Sequence, residues 1–164
     1  MAPVQNLIGI PRAGIQSPGA YVGAYVEKNC AQSLGTRRVV VWAGQSNTAS
    51  SVNGRYTVTK ANNWQFDIQS GACYTALDPP LGATVSPTTA GSYVTQVGDL
   101  LISGGTAAHV ISANISVGGT AVADWAVGGF LNASIGVTGL RLANAGLTCD
   151  NIIWGQGESN HGTS

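Results

Sequence analysis

A chain of 164 residues and 16.6 kDa, 44% of it apolar, is long enough for one compact domain with a real core and too short for a second full domain. Seven Lys plus Arg balance seven Asp plus Glu, so there is no basic excess to neutralise phosphates, and nucleic acid drops out as a partner class. Charged residues make up only 9% of the chain and Gly numbers 23, which leaves the surface to Gly, Ser, Thr, Asn and Gln, a composition that suits extracellular or virion settings.

Gly, Ser, Thr or Asn interrupts every hydrophobic stretch within a few residues, so no membrane span is expected. The start, Met1 to Leu7, has neither a basic head nor an apolar block and does not read as a secretory signal. Residues 1–36 hold Pro3, Gly9, Pro11 and Gly14 without a sustained apolar period, and read as an arm or lead-in to a domain over 37–164. Cys30, Cys73 and Cys149 fit neither a Cys-x-x-Cys site nor a paired framework; three free, buried thiols is the plainer reading, and one disulfide plus one free thiol the other. The two histidines and three cysteines share no ligand spacing, so neither a metal nor a cofactor is expected.

The first clear element is Arg38-Val39-Val40-Val41-Trp42, a β-branched run bounded by Gly44, which predicts a parallel strand buried on both faces. From Ser50 to Pro87 the pattern is irregular, with Trp64, Phe66 and Tyr74 as isolated aromatics, and predicts a long excursion with room for a hairpin. From Ser92 to Ser103, Tyr93, Val97, Leu100 and Leu101 fall at helical spacing and Gly104-Gly105 supplies a stop. A second strand is predicted within Ala108 to Val117, a helix from about Ala133 to Ala145, and a third strand from Asn151 to Trp154. Strand, helix, strand, helix, strand predicts an α/β sandwich on a parallel sheet, with its ligand site beyond the carboxyl ends of the strands, just after Trp42, Val117 and Trp154.

Each of those strands runs into a glycine turn: Gly44-Gln45-Ser46-Asn47, Gly118-Gly119-Thr120, and Gly155-Gln156-Gly157-Glu158-Ser159-Asn160. Ser46 stands where a nucleophilic hydroxyl would sit, or where a serine caps the following helix. Gly118 and Gly119 let a backbone N–H approach a substrate, and the Gln156 amide can donate to the same oxygen; a tight turn and a loop brace are the plainer alternatives. A nucleotide site is not expected, because Asn160 replaces the third glycine and no Gly-x-x-x-x-Gly-Lys is present.

The stretches Val39 to Asn47, Ser116 to Trp125 and Ile153 to Asn160 resemble, in order, three blocks of the SGNH hydrolase superfamily, in its sialate O-acetylesterase and acetylxylan esterase branch. The resemblance runs from about Arg38 to the C-terminus. It implies a three-layer α/β/α sandwich with a parallel, flavodoxin-like central sheet, and a serine esterase that removes O-acetyl groups from carbohydrate through a Ser46 acyl-enzyme. Backbone N–H groups of Ser46 and of Gly118 or Gly119, with the Gln156 amide, would form the oxyanion hole. Gln45, Asn47, Thr120 and Glu158 would support them, Trp125 would pack behind the glycine turn, and Asp124 gains no catalytic role.

One departure bears on activity. The family takes its base and orienting acid from a downstream Asp-x-x-His, which this chain lacks. His109 falls at the strand end opposite the site, and His161 has only Glu158 near it in sequence. The expectation is therefore a domain cut short after its third core strand, whose remaining part belongs to a longer protein or to another chain, with an open sheet edge that leaves room for a homo-oligomer. The competing expectation is a relative that binds glycan, or serves structurally at a virion surface, without hydrolysis.

Overall fold

The computed structural model describes residues 25–32, 35–49, 52–82 and 90–160. In chain order these hold strands β1 (Glu27–Lys28) and β2 (Arg37–Gly44), helix α1 (Ser46–Ala49), strands β3 (Val52–Asn53), β4 (Asn63–Asp67), β5 (Ala72–Thr75) and β6 (Ala90–Gly91), helix α2 (Tyr93–Ser103), strand β7 (His109–Asn114), helices α3 (Val122–Trp125) and α4 (Asn132–Asn144), and strand β8 (Asn151–Gly155). Six strands form one sheet in the order β1-β5-β4-β7-β2-β8, and β3 pairs with β6 apart from it.

Strands β4, β7, β2 and β8 run parallel, while β5 is antiparallel to β4 and β1 to β5. The sheet is thus mixed, where the sequence pattern predicts parallel strands alone. The reason lies in the excursion. Asn63-Trp64-Gln65-Phe66-Asp67 is buried throughout, yet every second side chain is polar, so it does not read as an apolar central strand. Its polar side chains find partners within the fold, although Asn63 Oδ1 is left without one. Gln65 donates to the Thr75 carbonyl (2.9 Å) and accepts from Leu81 N (2.8 Å), and Asn63 donates to Asp99 Oδ1 and to the Thr95 carbonyl, both at 2.8 Å. The hairpin for which the excursion left room is β4–β5.

Strand β2 is at the centre of the parallel part. Val39, Val41 and Ala43 enter the larger apolar cluster with Ile111, Ala113, Trp125, Leu142 and Leu147. Val40 and Trp42, on the other face, pack with Tyr93, Val94 and Val97 of α2. Trp42 meets Tyr93 edge-on at 5.8 Å and donates its indole N–H to Ser112 Oγ at 3.2 Å. Helix α2 starts where its sequence signal puts it, with Ser92 Oγ accepting from Val94 N as the N-cap. Both glycine-bounded strands predicted downstream are present as β7 and β8, and the predicted second helix is α4.

One reading needs correction. Cys30 and Cys73 form a disulfide and only Cys149 is free, so the reading as three thiols gives way to one bridge plus one thiol. Spacing could not reveal the pair, because β1 reaches Cys73 by pairing with β5 at the far edge of the sheet, in the register Lys28↔Cys73. The described part of the lead-in, with β1 and the bridge, therefore belongs to the same sheet as the rest.

Candidate functional site

The parallel strands end together. In register, Gly44 pairs with Gly155 and Trp42 with Asn114, and beyond the ladder Gln45 N donates to the Gly155 carbonyl (2.9 Å) and Val117 N to the Gly44 carbonyl (2.9 Å). This brings all three glycine turns to one edge of the sheet. Glycine is required at 44: φ is +126°, and a Cβ there would run into the Gly155 carbonyl. At Gly155 a Cβ would strike Thr48 Oγ1.

Ser46 is the first residue of α1 and is half-buried, and its hydroxyl has no hydrogen-bond partner among the described residues. It does not cap the helix. The Gln45 carbonyl accepts from Thr48 N and Ala49 N, both at 3.0 Å, so the backbone alone closes that turn. The capping alternative for Ser46 is thereby removed.

The residues flanking Ser46 are both tied to the turn after β8. Gln45 is buried, and its Oε1 accepts from Gln156 Nε2 (3.0 Å) and from Ser159 N (3.1 Å). Asn47 donates from Nδ2 to Glu158 Oε1. Thr120 completes the lattice from the third turn: its carbonyl accepts the other Gln156 Nε2 hydrogen at 2.5 Å, and its hydroxyl donates to the Val117 carbonyl at 2.8 Å. Trp125 donates its indole N–H to Thr120 Oγ1 (3.1 Å) and stands edge-on to Trp154 at 5.2 Å. It is buried behind the turn. Gly118 and Gly119 are exposed at the tip, and Gly119 takes φ +78°.

One expected role looks different in this geometry. Both hydrogens of the Gln156 amide are held inward by Gln45 and Thr120, and its Oε1 is buried without a partner. To donate to a substrate oxygen, Gln156 must first release one of them. Asp124 is structural: its Oδ2 accepts from Ala121 N at 2.8 Å at the start of α3.

Sequence reasoning missed the floor of the site. The Thr48 carbonyl accepts from Asn114 Nδ2 (3.1 Å) and Ser92 Oγ (3.4 Å), and Tyr93 donates its hydroxyl to Thr48 Oγ1 (3.3 Å). Asn114 is fully buried at the end of β7, and its Oδ1 accepts from Ser116 N at 2.9 Å. A buried Asn closing an apolar strand was the one available signal.

His109 is the single histidine among the described residues. It opens β7, opposite Arg37 and about 17 Å along the strand from Asn114, and stacks edge-on against Trp64 at 4.5 Å. Burial, helped by the Arg37 charge, pushes its pKa below the ordinary value. It is a core histidine. His161 falls outside the described residues. Among the described residues no three His, Cys, Asp or Glu side chains gather to hold a metal, and no helix is long and apolar enough to cross a membrane.

No family model matches this chain, and no curated protein matches it. Among solved structures it is similar to a protein of Arabidopsis thaliana known from a 1.6 Å crystal structure, with a TM-score of 0.57 at 15% identity. The match covers 76% of this chain and 59% of the plant protein, so this chain spans less than two thirds of that neighbour's length. The likeness is one of fold.

Proposed function

We propose that this chain carries the nucleophile of an SGNH-type serine esterase that removes O-acetyl groups from carbohydrate. The observation that carries the reading is Ser46: a half-buried hydroxyl without a hydrogen-bond partner among the described residues, at the carboxyl end of the central strand, between two side chains that anchor the neighbouring turn. The finer architecture, a three-layer α/β/α sandwich, is part of the proposal. It is supported by the packing of alternate β2 residues, one set with Leu142 of α4 and the other with α2.

In this reading Ser46 Oγ attacks the acetyl carbonyl carbon and gives up its proton to a base, while backbone N–H groups of the Gly118-Gly119 turn steady the oxyanion. The sugar alcohol leaves with a proton, the acetyl group stays on Ser46, and water then releases it as acetate. The amide-rich rim, with the Glu158 carboxylate beside Asn47, suits the hydroxyls of a sugar. The base has to be a group other than His109, which is too distant to reach Ser46. Glycan binding without turnover is the second reading, favoured by the inward hold on the Gln156 amide hydrogens.

Acetate release from acetylated xylo-oligosaccharides and O-acetylated sialosides separates the two. Release that disappears in Ser46→Ala supports the esterase. Retention of glycan by both proteins without release supports the binding module.

A further inference from the structure

Helix α1, which carries Ser46, is four residues long, too short to hold its own shape. Its place is set from outside, and its last carbonyls have no partner within the helix. One of them, the Thr48 carbonyl, accepts from Asn114 Nδ2 at 3.1 Å, with the Ser92 hydroxyl as a longer second donor at 3.4 Å. The other end of the same amide, Asn114 Oδ1, accepts from Ser116 N at 2.9 Å. From Ser116 the chain runs through Val117 into Gly118 and Gly119. Asn114 therefore grips the end of the Ser46 turn with one atom and the start of the glycine turn with the other. Its own backbone is fixed: it ends β7 in register with Trp42, Ile115 N donates to the Trp42 carbonyl at 2.8 Å, and a Cβ at Gly82 would strike the Asn114 carbonyl. The side chain is fully buried, which keeps it out of reach of a bound sugar. A buried amide costs free energy unless both its ends are paired, and here both pair with backbone of the two turns.

We infer that Asn114 is a positioning residue for the reaction proposed above: it sets the spacing between Ser46 Oγ and the backbone N–H groups of the Gly118-Gly119 turn. The inference rests on the esterase reading. A nucleophile and its oxyanion donors have to serve one reacting carbon together, and a displacement of about 1 Å costs about 10²-fold in rate. The spacing matters once the tetrahedral intermediate forms, with its carbon bonded to Ser46 and its oxygen on the glycine turn. It matters little for the bound ester, which the rim holds by its hydroxyls. Asn114 acts on rate, then, and not on ground-state affinity.

Asn114→Asp tests it. The variant keeps the shape and the acceptor for Ser116 N, but sets a carboxylate oxygen against the Thr48 carbonyl in place of a donor, which pushes the Ser46 turn away from β7. The assay is acetate release from acetylated xylo-oligosaccharides and O-acetylated sialosides, in a protein that carries the base as well as Ser46. The variant is expected to lose about 10²-fold in kcat with KM unchanged. Asn114→Ala removes both bonds without adding a charge, and covers the case in which the aspartate variant does not fold. Cys30→Ala with Cys73→Ala weakens the fold at the far edge of the sheet and is expected to leave kcat unchanged. A folded Asn114 variant that keeps its kcat, or that changes KM alone, overturns the positioning role, and so does an equal fall of kcat in the cysteine variant. No release by the unaltered protein, leaving it level with Ser46→Ala, is the separate failure of the esterase reading and takes this inference with it.

Discussion

Gln156 donates a side-chain hydrogen bond to Gln45 at 3.0 Å, joining the turn after β8 to the turn after β2 across 111 positions of sequence. Gln45 is buried, and the same oxygen also holds Ser159 N. This one amide oxygen ties the residue before Ser46 to the turn after β8. Gln45→Ala removes the acceptor and leaves a buried Gln156 hydrogen unpaired, at an expected cost of about 1–3 kcal/mol. Urea unfolding midpoints measure it. Glu158→Gln alters only the exposed partner of Asn47, so its expected effect is below about 0.5 kcal/mol.

The Cys30–Cys73 bridge closes a separation of 43 residues. Restricting a loop of that length in the unfolded chain contributes about 4 kcal/mol in the chain-entropy account. Reductant is therefore expected to lower the urea midpoint markedly, and Cys30→Ala with Cys73→Ala to reproduce the loss without reductant. Thiol titration gives the companion readout, with one reactive thiol in the unreduced, unfolded chain and three after reduction.

Strands and helices carried by their apolar spacing were legible in the sequence: β2, α2, β7, α4 and β8 all fall where that spacing puts them. So was the convergence of three turns on one edge, because parallel strands separated by helices leave their carboxyl ends together. Strand β4 was hidden because its buried polar residues find partners only in the folded state, as Gln65 does with Leu81 N. The disulfide was hidden for a related reason: β1 is only two residues long, and its pairing with β5 is a tertiary fact. Within the site the residue types were legible, but not their direction. Nothing in a Gly-Gln-Gly turn says whether its amide faces a substrate or, as at Gln156, the Thr120 carbonyl.

Burial, with the Arg37 guanidinium as a second cause, holds the His109 pKa below the usual 6.5. The unfolded chain takes up a proton that the folded one refuses. Stability is whole above the ordinary histidine value, falls as pH drops through it, and stops falling from this cause below the depressed folded value. Unfolding midpoints at about pH 7.5 and about pH 5.5 are expected to differ in that sense, and His109→Phe to reduce the difference. Asp99 acts in a lower window. Burial raises its pKa, but hydrogen bonds from Thr59 N, Asn63, Thr59 Oγ1 and Tyr56 outweigh this and bring it below 3.8, so its contribution is lost only as pH falls beneath the carboxylate range.

The meeting of β2 and β8 depends on the absence of a side chain at Gly44. Gly44→Ala has to move the Gly155 carbonyl and strain φ, with an expected loss above about 2 kcal/mol. Gly119→Ala also sits at positive φ but faces open space, so its expected loss is about 1 kcal/mol. Thermal unfolding of the two variants side by side checks the ordering.

The central claim is that Ser46 is a nucleophile presented by the strand-end turns. Its most direct test is reaction with a fluorophosphonate probe, followed by peptide mapping in the mass spectrometer. The account predicts, in a protein that carries the base as well as Ser46, a single phosphonyl adduct on the peptide carrying Ser46, lost in Ser46→Ala and weakened in Gln45→Ala. An adduct that persists in Ser46→Ala, or such a protein left unmodified while a known serine esterase in the same tube is labelled, would contradict it.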